Sequence, residues 1–199
     1  MAINIAVFLD RDGTINEEVG YLDSLEKLKI ISTAYEAIGL INASGMKTIV
    51  VTNQSGVARG LLTEKFVNLT NETLQNTLRQ RGAAIDKFYY CPHHPTEGLE
   101  PYRMDCNCRK PSPGMLLQAA SELNIELALS YMIGDTSRDM EAAKKAGVKA
   151  ILVKTEYGRD MLQDRDTNKV TGEGKPDFIA EDILEAVKWI LKDKDKGIK

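Results

Sequence analysis

Short apolar runs alternate along the chain with longer stretches in which apolar residues recur every third or fourth position, so strands and helices are predicted in turn. Residues 3–9, with Ile3, Ile5, Val7, Phe8 and Leu9, are rich in β-formers and predict the first strand. Residues 33–44 predict a helix with Ala34, Ala37, Ile38 and Ile41 on one face, stopped by Gly45. Residues 47–52 are apolar almost throughout, as a strand covered on both faces must be. Thr63 is placed to cap a helix to about Arg81 with Phe66, Leu69, Leu74 and Leu78 inward, ending before Gly82. Residues 85–90, 131–133 and 148–153 predict further strands, and 114–123, 137–146 and 182–191 further helices.

This order predicts an α/β fold: a doubly wound, mostly parallel, Rossmann-like sheet with right-handed crossovers. One domain over residues 1–192 is expected, with a loop at 91–108 inserted and a frayed tail at 193–199. Residues 156–177 are polar and glycine-bearing and predict a long surface loop. The stretches after Thr14 and Thr52 are too short for a large cap domain, so an open site is expected.

Composition narrows the function classes. The chain has 199 residues, 28% of them charged and 43% apolar, as in a soluble globular protein. A net charge of -3 excludes a general nucleic-acid binder, and no apolar run approaches a membrane span. The start Met1-Ala2-Ile3-Asn4 lacks a basic leader, so a cytoplasmic protein is expected, and no interface stripe argues against a monomer. The glycosylation-like triplets at Asn68 and Asn71 are then chance matches.

The chemistry-bearing residues fall at predicted strand ends, where open α/β sheets bind ligands. Asp10 and Asp12 end the first strand, before Gly13 and Thr14. Residues i and i+2 of an extended chain point the same way, so the two carboxylates converge while Arg11 faces elsewhere. Asp-Gly is also a common turn pair, which is the bland alternative. Two close carboxylates repel unless a cation lies between them, an arrangement suited to phosphoryl transfer: one nucleophile, one acid/base, and Mg²⁺ screening both. Thr52 and Lys110 are placed to hold phosphoryl oxygens, and Asp135 to complete a Mg²⁺ shell with Asp10 and the Asp12 carbonyl. Taken singly, Thr52 reads as a turn residue, Lys110 as a solvated cation and Gly134-Asp135 as a turn. Asp139 either orients its neighbours or caps the following helix.

All three cysteines and both histidines lie between Cys91 and Cys108. Cys91, His93, Cys106 and Cys108 make a closed thiolate and imidazole set, pointing to structural Zn²⁺ rather than to a disulfide or a redox pair. His93 is preferred to His94 because Cys-x-His mirrors Cys-x-Cys. Such an ion would pin Arg109 and Lys110, which follow Cys108 directly.

Asp10-Arg11-Asp12-Gly13-Thr14, Thr52, Lys110 and Gly134-Asp135 with Asp139 resemble the four signatures of the haloacid dehalogenase superfamily of phosphohydrolases, over almost the whole chain. The resemblance implies Asp10 as nucleophile and Asp12 as the residue that protonates the leaving alcohol and then activates water. Cys-Pro-His-His-Pro, Cys-x-Cys-Arg-Lys-Pro and Thr52-Asn53-Gln54-Ser55-Gly56 with Arg59-Gly60 look like the zinc-loop branch of that superfamily. The long interval between His94 and Cys106 favours heptose bisphosphate 7-phosphatases over histidinol-phosphate phosphatases. That branch implies a sugar-bisphosphate substrate lined by Glu18, Val19, Gly20, Tyr21, Asn53, Gln54, Ser55 and Arg109, with Arg109 and Arg59 toward a remote phosphate. It also implies a product that feeds activated heptose synthesis for lipopolysaccharide. Thr136 stands where some relatives carry a lysine, which leaves that phosphate contact to Ser137 or Arg138. A different sugar-phosphate phosphatase is the near alternative. A phospho-accepting signalling receiver is the distant one, disfavoured by Asp12, as is a zinc-loop interaction module. Gly172-Glu173-Gly174-Lys175 lacks the spacing of a nucleotide-binding P-loop.

Overall fold

A computed structural model describes residues 3–155, 158 and 174–196. Six strands form one sheet in the order β3-β2-β1-β4-β5-β6, every neighbouring pair parallel. In chain order the elements are β1 (Ala6–Leu9), α1 (Ser32–Ala43), β2 (Lys47–Asn53), α2 (Glu64–Arg79), β3 (Lys87–Cys91), α3 (Gly114–Leu123), β4 (Tyr131–Gly134), α4 (Ser137–Ala146), β5 (Lys149–Val153), β6 (Phe178–Ala180) and α5 (Ile183–Lys196). The doubly wound α/β architecture read from the sequence is the observed one.

Strand alternation divides the core. Val7 and Leu9 of β1 pack with α1, α2 and α5 through Ala37, Ile41, Leu74 and Val187. Ala6 and Phe8 point to the opposite face, against Met115 and Leu116 of α3 and Met140 of α4. Burying a side chain such as Phe8 contributes roughly 2–3 kcal/mol, so the central strand is held firmly from both sides. Chain direction across the sheet reverses between β1 and β4, and the crevice beyond their carboxyl ends is the topological switch point.

Several predicted details differ. β6 was not foreseen: its three residues pair with β5 and rely on α5 for cover, too little sequence for a periodic signal. Leu69, predicted inward on α2, is 45% exposed, because the buried face runs through Val67, Thr70, Asn71, Leu74 and Leu78. The tail expected from Asp193 is helical as far as Lys196. Its polar residues are anchored, Asp193 accepting from Tyr131 Oη at 3.0 Å and Lys194 donating to the Ser44 carbonyl at 3.1 Å. Residues 197–199 and most of the predicted loop at 156–177 lie outside the described residues. Among the described residues no helix is long and apolar enough to cross a membrane.

Candidate active site

The first turn beyond β1 builds the floor of the site. The Asp10 amide donates to the Ile133 carbonyl at 2.9 Å, extending the β1–β4 ladder one residue past the strand. Asp12 lies among donors. Arg11 Nη2 reaches its Oδ2 at 3.0 Å, Gln54 Nε2 the same oxygen at 2.8 Å, and Asn16 Nδ2 its Oδ1 at 2.9 Å. Burial pushes the Asp12 carboxyl up, but Arg11 and these donors outweigh it and hold it below the usual carboxylate range. Arg11 therefore does not face away as the strand geometry predicted. The chain turns after β1, and the buried guanidinium bridges Asp12 to Asn71 of α2 at 3.1 Å. Gln54 Nε2 also donates to Thr52 Oγ1 at 2.9 Å, joining the β2 tip to the same network.

Lys110 enters from the other side. Its buried ammonium lies 2.9 Å from Asp10 Oδ1 and 2.5 Å from Asp139 Oδ1. Its backbone is fixed by Asn53, whose Oδ1 accepts from the Lys110 amide at 3.0 Å while Nδ2 donates to the Lys110 carbonyl at 3.0 Å. Asn53 thus positions the lysine. Asp139 serves both roles raised for it, since its Oδ2 also accepts from the Thr136 amide and hydroxyl in a capping box that opens α4.

Asp135 completes the acidic group at the end of β4. A Cβ on Gly13, whose φ is +75°, would stand 2.0 Å from Asp135 Oδ2, so only glycine lets the β1 turn approach this carboxylate. Burial, helped by Asp139 and Asp12 and opposed by Lys110, raises the Asp10 carboxyl to about 7. Burial together with Asp10 and Asp139 raises Asp135 to about 8. Oxygens of Asp10, Asp135 and Asp139 lie within 4.8 Å of one another. Asp139 is engaged by Lys110 and by its own cap, which leaves Asp10 and Asp135 as crowded hard-oxygen donors of the kind Mg²⁺ takes.

Beyond β3, the chain from Cys91 to Cys108 folds its soft ligands into one knot. Cys108 Sγ is 3.2 Å from Cys91 Sγ and 3.3 Å from Cys106 Sγ, Cys91 and Cys106 are 3.6 Å apart, and His93 Nδ1 lies 3.3 Å from Cys108 Sγ. These are non-bonded separations, and all three thiols are free. The four ligating atoms close on one point and can hold a metal ion. Hydrogen bonds from Cys91, Cys106 and His93, working against burial, draw the Cys108 thiol down to about 5, thiolate character that suits a metal ligand. His94 stays outside the knot and meets Arg59 Nη2 at 3.2 Å. Arg109 Nη1 donates to the His93 carbonyl at 3.1 Å, so the knot also orients the residue before Lys110.

An open cavity of about 320 Å³ gathers most of the expected residues: Asp10, Asp12, Glu18, Gly20, Tyr21, Thr52, Asn53, Gln54, Ser55, Arg109, Lys110 and Asp135. Val19 and Arg59 are not among its walls. Val19 is exposed, and Arg59 is taken up by an ion pair with Glu97 and by His94. Leu22, Gly56, Leu62, Thr136 and Arg138 line the cavity as well. Nothing in the spacing of Leu22 and Leu62 marked them in the sequence.

Residues 107–186 match a family model described as HAD-hydrolase-like. The D-glycero-beta-D-manno-heptose-1,7-bisphosphate 7-phosphatase of Pasteurella multocida is 43% identical over 98% of this chain and 98% of its own length. The enzyme of the same name from Yersinia pestis is 40% identical over 93% and 94%. Among solved structures, the D,D-heptose 1,7-bisphosphate phosphatase of B. bronchiseptica, complexed with magnesium and phosphate, superposes with a TM-score of 0.82 at 30% identity, covering 95% of this chain and 99% of that one.

Proposed function

Since the chain belongs to the D-glycero-β-D-manno-heptose-1,7-bisphosphate 7-phosphatase family of haloacid dehalogenase-type phosphatases, we propose that it hydrolyses the 7-phosphate of that bisphosphate through an aspartyl-phosphate. The observation that carries this reading is the convergence of Asp10, Asp12, Thr52, Lys110 and Asp135 on one open cavity at the switch point.

Asp10 attacks the phosphorus in line, and the bond to the sugar oxygen breaks. Asp12 gives its proton to that oxygen. In the free protein its donors favour the ionised form, but an arriving phosphate dianion adds negative charge beside it and raises its affinity for a proton. Asp12 then takes a proton from the water that attacks the phosphorus and frees Asp10. Lys110 and Thr52 hold phosphoryl oxygens as charge builds, so most of the acceleration comes from positioning and charge stabilisation. A magnesium ion held by Asp10, Asp135 and the Asp12 carbonyl would supply charge screening for the phosphate. Glu18, Gly20, Tyr21 and Ser55, on the cavity wall, take the sugar.

In this reading Cys91, His93, Cys106 and Cys108 would hold a zinc ion in a structural role, bracing the loop that carries Arg109 and Lys110. Three free thiols suit a reducing, cytoplasmic setting.

The direct test is Mg²⁺-dependent phosphate release from both anomers of heptose 1,7-bisphosphate and from histidinol phosphate, with wild type and Asp10→Asn. One equivalent released from the β anomer, and loss of turnover by more than about 10⁴-fold in the variant, are expected. Preference for histidinol phosphate would overturn the substrate, and substantial turnover by Asp10→Asn would overturn the nucleophile.

A further inference from the structure

Asp12 has to act twice at one point, first on the leaving sugar oxygen and then on water, so its carboxyl must stand in the same place in both half-reactions. Two of the groups that fix it take no part in the cavity wall: Arg11 and Asn71 are 1% and 5% exposed, and neither lines the cavity. The Arg11 guanidinium grips Asp12 along one edge. Its Nε donates to Oδ1 at 3.2 Å, and its Nη2 to Oδ1 at 3.2 Å and to Oδ2 at 3.0 Å. A planar fork of this kind sets the orientation of a carboxylate as a point charge does not. The fork must itself be held, and its remaining arm, Nη1, donates to Asn71 Oδ1 at 3.1 Å. Asn71 stands on the buried face of α2, with Val67, Leu74 and Leu78. An amide on such a face is destabilising unless it is hydrogen-bonded. The bond to Arg11 accounts for it there, and it carries the position of α2 through to Asp12.

We propose that Asn71, acting through Arg11, is a positioning residue for the acid/base: it sets where the Asp12 carboxyl stands when it gives its proton to the leaving oxygen and when it takes one from water. The inference rests on the phosphatase reading above and adds to it a helix residue that touches neither the substrate nor the reacting atoms. Gln54 and Asn16 hold the same carboxyl from other sides, so loss of Asn71 loosens the acid/base without releasing it.

The test uses Asn71→Leu, which removes the amide and keeps its bulk, and Arg11→Met, which removes the fork. With heptose 1,7-bisphosphate at saturating Mg²⁺, kcat should fall about tenfold in Asn71→Leu and about 100-fold in Arg11→Met, with KM nearly kept, as for a reacting group slightly displaced. The double variant should be no slower than Arg11→Met alone, because Asn71 acts only through Arg11. Single-turnover release of the leaving group is the second readout. p-Nitrophenolate leaves without a proton, so its release from p-nitrophenyl phosphate should slow by less than about threefold in Asn71→Leu, while release of the sugar slows about tenfold. Melting temperatures of the variants, read alongside, show how far each is destabilised. Equal slowing on both substrates, a loss carried by KM, or a double variant about tenfold slower than Arg11→Met would make Asn71 a packing residue only. Each would overturn the inference while leaving the phosphatase reading intact. A wild type inactive on both substrates would remove both.

Discussion

At the tips of β1 and β4 three carboxylates crowd together and two of them pair with one buried lysine, whereas beyond β3 three thiols and an imidazole close on one another. The acidic group keeps an internal countercharge. Lys110 pairs with both Asp139 and Asp10, and Asp10 and Asp135 line the cavity. The thiol group has no lysine or arginine side chain bonded to its ligating atoms among the described residues, and its four donors point at a single centre. One cluster is arranged so that a ligand can enter and leave, and the other so that nothing need enter again. Loss of a member should therefore damage chemistry in the first case and the fold in the second.

Lys110→Met presses hardest on that division. It removes the cation beside the nucleophile and leaves Asp139 buried with its cap alone. Losing one preorganised phosphoryl contact costs on the order of 3 kcal/mol, so kcat at saturating Mg²⁺ should fall about 150-fold. Breaking a buried pair also destabilises the fold, so melting should be followed with the rate. A kcat within fivefold of wild type would remove Lys110 from the reaction.

Cys108→Ser probes the opposite pole. A hydroxyl in place of the thiolate opens the knot and weakens any metal it holds. The expected result is a melting temperature lower by about 10 °C and bound zinc, measured by mass spectrometry, well below one per chain. The fall in kcat should be smaller than for Lys110→Met, since it acts only by loosening Arg109 and Lys110. A larger loss of rate than of stability would mean that the thiol cluster takes part in chemistry after all.

How much of this was legible in the sequence follows from the range of the interactions involved. β1, α1, β2 and α2 could be read because each carries a complete local period, and Asp10, Thr52, Lys110 and Asp135 because each stands where a period breaks. His93 could be separated from His94 by spacing alone. The clamp on Asp12 could not be read: strand geometry sent Arg11 away, but the turn at Gly13 brings it back, and its partner Asn71 is sixty residues distant. The partners of Arg59 could not be read for the same reason. Nothing local to it announced the pairing with Glu97, formed only when residues 92–105 fold over the turn after β2. β6 was too short to declare itself.

The smallest effect tests whether the acidic cluster is built around a cation. With Lys110 as its sole internal countercharge among the described residues, the metal-free site leaves Asp10 raised from 3.8 to about 7 and Asp135 from 3.8 to about 8. A carboxyl whose folded value is raised binds protons more tightly folded than unfolded, so its contribution to stability is fully present below about pH 4 and is lost as pH rises toward 7 and 8. Mg²⁺ competes with those protons for the same oxygens. Its stabilisation should therefore grow with pH, because at pH 5 it must displace protons and at pH 8 it meets carboxylates that repel one another. The melting temperature of protein freed of Mg²⁺ but not of its thiol-bound metal, measured with and without Mg²⁺, should show a shift a few degrees larger at pH 8 than at pH 5. Asp135→Asn should flatten that difference, since it removes one titrating group and one ligand together. An equal Mg²⁺ shift at both pH values would mean that the carboxylates do not hold the ion, and the contrast with the closed thiol site would lose its acidic half.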